Sequence, residues 1–135
     1  MMDNLITMMR KLARKNRRTW SLTENYVDVQ LNTSPRNQRV YLFLKNGYYF
    51  FTSLILGSMA VTKNVKNWNE LALVAWQRNS DHELVNFTFD KKDRLVGLIR
   101  HPAEHLDPEE LEHYINTLAN ECDRFEYLLA GKDKF

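Results

Sequence analysis

A chain of 135 residues with 44 % apolar side chains is long enough for one domain with one modest core. Four glycines and three prolines leave no room for a long flexible linker, and a single cysteine, Cys122, excludes an internal disulfide and a paired-thiol zinc site. The net charge of +2 conceals a gradient: residues 1–66 carry eleven Lys/Arg against three Asp/Glu, and residues 67–135 carry eight against fourteen. Folding disperses such a gradient, or sets the two halves against each other within the molecule or across a dimer.

The opening MMDNLITMMRKLARKNRR places its basic residues after the apolar ones, the reverse of a secretory signal, and no small-residue cleavage site follows. Residues 4–15 read as a helix, with Leu5, Met8, Met9 and Leu12 at helical spacing and Asp3 as a cap. Residues 20–31 read as one half-buried strand, because Val27, Val29 and Leu31 alternate with Asp28 and Gln30. A turn cluster, NTSPRN, follows. Next comes a hairpin whose Asn46-Gly47 pair tolerates the positive φ of a two-residue turn.

Apolar residues occupy both faces of this hairpin. A sheet with one wet face alternates more cleanly, so the second face is expected to be partly covered by loops, by the first helix or by another molecule. The longest apolar run, GYYFFTSLILGSMAV, is too short for a spanning helix, which needs about 20 residues. Residues 67–79 form a second helix, with Asn67 and Glu70 at capping-box spacing and Trp68, Leu71, Ala72 and Ala75 as its apolar stripe. A second hairpin turns at residues 90–93 and returns over 95–100. The last helix carries Leu111, Ile115, Leu118, Cys122, Phe125 and Leu129 as one stripe, Gly131 supplies a stop, and residues 131–135 form a short tail. The predicted order is α-β-β-β-α-β-β-α. It implies an α+β fold over residues 1–135, with an antiparallel sheet and helices packed mainly on one face.

The densest cluster of potential ligands is HPAEHLDPEELEHY, which holds His101, His105 and His113. Most of its acidity has a structural cause. Asp107 suits an N-cap, Pro108 the first helical position and Glu110 the return of a capping box, and carboxylates favour a helix N-terminus. Glu109 and His113 are spaced to share a metal, but HExxH is absent, so no metal site is predicted. Cys122 lies on the apolar stripe and reads as a buried structural thiol. GxSxG, GxxxxGK[ST] and GxGxxG are all absent, so neither catalysis nor a cofactor is expected; a metal- or carboxylate-dependent enzyme, resting on the abundance of carboxylates alone, is the remaining alternative. Arg10, Arg14, Arg17 and Arg18 form an alternative anion-binding patch for nucleic acid or, less well for want of an aromatic face, an anionic membrane surface, set against the simpler reading of a solvated basic face.

The second half of the chain carries a family resemblance. A Phe-containing strand and acidic turn (residues 87–93), a returning strand (95–100), the Asp-Pro-Glu-Glu-Leu helix opening (107–111) and the ECDRFEYLL ending resemble the YbjN family and the wider fold of type III secretion chaperones. The resemblance implies a cytoplasmic, non-enzymatic domain that binds protein, often as a homodimer. On that reading Tyr41, Phe43, Tyr49, Phe51 and Ile55 form the candidate contact face. The alternative is that they are buried within the monomer.

Overall fold

The computed structural model describes residues 2–31, 36–57, 68–81 and 84–133. Helix α1 (Met2–Lys15) leads into β1 (Trp20–Leu22), β2 (Tyr26–Gln30), β3 (Asn37–Lys45) and β4 (Tyr48–Leu56). Helix α2 (Trp68–Asp81), β5 (Asn86–Phe89), β6 (Leu95–Pro102) and helix α3 (Pro108–Asp133) complete the chain. All strand pairs are antiparallel, in the order β1-β2-β3-β4-β6-β5. The α+β class and the one-sided helical layer agree with the sequence reading.

One predicted strand is two. Residues 20–31 turn back at Thr23, whose amide and hydroxyl both donate to the Tyr26 carbonyl (2.9 and 3.1 Å). The Thr-Glu-Asn stretch interrupts the alternation, and the hydroxyl gives the backbone a local partner in place of a ladder. β1 then pairs with β2, with Trp20 opposite Val29. Trp20 is thereby buried, and its Nε1 donates to Asn116 Oδ1 of α3 at 3.0 Å.

The Asn46-Gly47 turn has the predicted geometry, with φ of 53° and 79° at the two positions. At the far end of the sheet, Asp90 Oδ1 accepts from the amides of Lys92 and Arg94, and Asp93 has a φ of 59°. Edge strand β5 is held by α2, where Asn79 both donates to and accepts from the Phe87 backbone. That contact shields part of an otherwise open edge.

Helix α3 is the backbone of the core. Leu111, Ile115, Leu118, Cys122 and Phe125 are all buried on the predicted stripe, against Tyr49, Phe51 and Ile55 of β4 and Leu95 and Ile99 of β6. Its capping box forms as expected: Glu110 N donates to Asp107 Oδ1 (2.8 Å), and Asp107 N donates to Glu110 Oε1 (3.2 Å). Its end differs from expectation. The helix runs through Gly131 to Asp133, so Gly131 is not a stop. Glycine costs a helix about 1 kcal/mol but does not forbid it. The helix start also differs: α1 begins at Met2, so Asp3 lies within its first turn and is not its N-cap. The Asn67 cap, the Trp68 side chain and turn residues 32–35 lie outside the described residues.

Asn16 joins α1 to α3. Its Nδ2 donates to the Leu12 carbonyl (2.9 Å) and to Glu112 Oε2 (2.7 Å), and Lys15 Nζ lies 3.1 Å from Glu112 Oε1. The Asn16 hydrogen bond leads in holding the Glu112 carboxyl below its ordinary value of 4.5, against an opposing push from burial. A carboxyl depressed in the folded state stabilises the fold above its unfolded pKa, and that contribution is lost as pH falls through the folded value. Glu112→Gln is therefore expected to cost about 1 kcal/mol at neutral pH. Urea titrations at a series of pH values check this: the difference between wild type and variant shrinks on acidification below the ordinary carboxyl range. A pH-independent difference contradicts the assignment.

Candidate interaction surfaces

The hairpin of β3 and β4 divides the five predicted contact residues between two faces. Tyr49, Phe51 and Ile55 point under α3 and are buried to within 1 %. Tyr41 and Phe43 point the opposite way and remain 42 % and 41 % exposed. The five therefore do not form one surface. The cause is the register of the two-residue turn: Lys45 faces Tyr48, Phe43 faces Phe50 and Tyr41 faces Thr52. Odd positions of β3 share a face with even positions of β4. Grouping odd with odd joins a core side to an open side.

The open face therefore contains residues absent from the predicted set. Tyr48, Phe50 and Leu54 of β4 join Tyr41 and Phe43, and Tyr26 of β2 lies beside them. Phe43 and Phe50 stack at 5.1 Å with planes 7° apart, and Tyr26 meets Tyr41 edge-on at 5.5 Å. Cations lie across the rings: Arg39 Cζ sits 3.8 Å from the Tyr26 centroid and Arg100 Cζ 5.4 Å from that of Tyr48. Arg39 also clasps Asp28 through two hydrogen bonds of 2.8 and 3.1 Å, which raise its pKa further above the ordinary arginine value. Among the described residues no helix covers this face. Helix α1, one of the expected covers, lies on the other side with Leu5, Met9 and Leu12 in the core.

A second surface lies beside α1. A groove of about 600 Å³ opens between α1 and the β1–β2 turn, with Leu5, Ile6 and Met9 on one wall and Leu22, Tyr26 and Leu42 on the other. Arg10 and Glu24, both exposed, add opposite charges to its lining. Only the break at Thr23 creates this wall, so a reading of residues 20–31 as one strand leaves the groove invisible. A third exposed apolar area is on α2, where Leu73 and Trp76 stand three positions apart and point outward, Trp76 at 65 % exposure.

Arg10, Arg14, Arg17 and Arg18 are all exposed. Arg14 and Lys15 occupy the last turn of α1, where cations complement the helix dipole. His101 packs on Tyr114 with its Nε2 3.6 Å from Glu110 Oε2, and its Nδ1 lies 2.7 Å from the Pro102 carbonyl. His105 sits in the loop with a φ of 68°, and its ring lies 3.9 Å from Glu104. His113 approaches Thr117 on the exposed side of α3. His113 also meets the Tyr114 ring, at 6.4 Å, so His101 and His113 share that neighbour while His105 turns to Glu104. Among the described residues no three His, Cys, Asp or Glu side chains converge on a point. Cys122 is fully buried, its Sγ 3.8 Å from the Ser53 carbonyl, and burial pushes its thiol up to about 12. A thiol so placed is protonated at neutral pH and lacks nucleophilic character. No helix among the described residues is long and apolar enough to cross a membrane.

No protein-family profile matches the sequence, and no curated protein matches it. Solved structures share its fold. A chain of the ExsC–ExsE complex is 14 % identical, with a TM-score of 0.61 over 94 % of both chains. YbjN from E. coli is 15 % identical, with a TM-score of 0.61 over 99 % of this chain and 93 % of its own. The Yersinia pestis type III secretion chaperone SycH, solved with a fragment of YscM2, is 10 % identical, with a TM-score of 0.54 over 88 % and 97 %. At these identities the likeness is one of fold, and it is the fold that the second half of the sequence resembles.

Proposed function

We propose, from a fold shared with YbjN and type III secretion chaperones, that this chain is a single-domain, non-enzymatic protein-binding module of chaperone-like or regulatory type. The observation that carries the reading is the groove between α1 and the β1–β2 turn. Its walls are mainly apolar side chains, and it has room for several side chains of a partner segment. Among the described residues its charged lining residues are Arg10 and Glu24, both exposed, which orient a partner instead of forming a reaction centre. The exposed cations of α1 favour a partner segment with acidic residues nearby. ExsC and SycH were solved with protein partners, which supports the class of ligand. The module acts in the cytoplasm, where its one thiol stays reduced.

A homodimer belongs to the same proposal, with Leu73 and Trp76 of α2 as the surface that a second copy covers. Light scattering of the wild type and of Trp76→Ala checks this part: a dimer that the substitution dissociates supports it, and a strict monomer at high concentration removes it.

The groove is tested by capture from native lysate on the immobilised chain, with bound protein identified by mass spectrometry. Ile6 is only partly buried and lines the groove, so Ile6→Glu places a charge there without emptying the core. The wild type retains a defined protein and Ile6→Glu loses it. Equal retention by both sinks the groove as the binding site.

A further inference from the structure

We infer that the open face of the sheet is a second binding surface, and that its ligand is single-stranded nucleic acid. The inference does not rest on the groove, which adjoins this face at Tyr26. Along β3 the face presents Tyr41 and Phe43 at alternate positions, and along β4 it presents Tyr48 and Phe50. Its charged strand residues are Arg39, Lys45, Arg100 and Asp28. The lone carboxylate, Asp28, is already held by Arg39. Lys45 and Arg100 have no carboxylate partner among the described residues. An exposed aromatic face with a surplus of cations selects an anionic ligand that has flat rings of its own.

The alternatives fit less well. A second copy laid face to face sets Lys45 and Arg100 against two further cations with no carboxylate between them in a drying interface, an arrangement that costs free energy. An extended acidic peptide gains its affinity on a sheet by pairing with an open edge. Here β3 and β4 are interior strands with neighbours on both sides, so a peptide lying across the rings leaves its own backbone groups unpaired over an apolar surface. A single nucleic-acid strand has no such cost. Its bases stack on side-chain rings whatever their sequence, and its phosphates meet cations while staying hydrated.

The test is fluorescence anisotropy with short labelled oligo-dT and oligo-U strands, and with a duplex of the same length. The wild-type chain binds the single strands, prefers them to the duplex, and loses affinity with salt at a log–log slope of about −1.4, as two phosphate contacts, at Lys45 and Arg100, require at about −0.7 each. The double variant Phe43→Ala/Tyr48→Ala weakens binding about tenfold or more. Lys45→Glu/Arg100→Glu also weakens it and flattens the salt dependence. Both variants alter exposed side chains, circular dichroism confirms their folding, and the charge variant carries the test if the aromatic one misfolds. Ile6→Glu in the groove leaves the affinity unchanged.

Four results overturn the inference. One is no binding at low salt. Another is equal affinity for the duplex. A third is binding that ignores both face variants but disappears in Arg14→Glu/Arg17→Glu, which assigns it to the basic end of α1. The last is a dimer, seen by light scattering, that the aromatic variant dissociates.

Discussion

Phe51→Ala is expected to destabilise the fold by about 3–5 kcal/mol. Phe43→Ala, on the partner strand of the same hairpin, is expected to cost about 1 kcal/mol or less. The contrast follows from the two faces. Phe51 is fully buried beneath α3, with its ring 5.9 Å from that of Tyr114. Truncating it leaves a cavity bounded by a central strand and the longest helix, neither of which can collapse to fill it. Phe43 keeps 41 % of its surface in water and gives up one stacking partner, Phe50. Urea denaturation of the two variants measures the difference. Similar small losses contradict the two-face arrangement and return Phe51 to a shared exposed surface with Phe43.

Gly97→Ala is expected to cost about 3 kcal/mol, at the upper end for an overpacked core. Gly97 faces inward on β6, and a Cβ built there runs into Cys122 Sγ and approaches Leu118 Cδ1 to 3.0 Å. The glycine is required by close approach of α3 to the sheet. Its backbone conformation is ordinary. Cys122→Ala removes the nearer obstacle at a cost of about 1 kcal/mol for the small cavity it leaves. In a double-mutant cycle the pair is therefore expected to be less destabilised than the sum of the singles, by about 0.5–3 kcal/mol. The Leu118 contact remains, so recovery is partial. Additive losses by urea denaturation mean that Cys122 is not what Gly97 accommodates. The cycle also gives the lone cysteine its role, which is to fill the space above a glycine.

The sequence was most legible where one periodic signal dominated. The stripe from Leu111 to Phe125 specified α3, its burial and its capping box, because a long helix repeats its period over several turns. Asn46-Gly47 located the β3–β4 turn. The same dipeptide also held the information that separates the two faces. A two-residue turn pairs odd positions with even ones, and applying that rule places Phe51 in the core and Phe50 on the open side. The break at Thr23 was harder to see. Alternation at Val27 and Val29 is strong, and nothing apolar marks the turn before it, so the hairpin and its groove follow only from tertiary pairing. The histidines were the opposite case. Their density along the chain does not become a cluster: His101 and His113 flank the Tyr114 ring, and His105 in the loop turns to Glu104.

The groove beside α1 is proposed to receive a protein partner. Hydrogen–deuterium exchange of the chain, with and without the protein it captures, locates the contact directly. Slower exchange is predicted in the complex over residues 5–10, 22–26 and 42, with residues 48–54 unchanged. Protection confined to other segments, or exchange that the partner does not alter, contradicts the account.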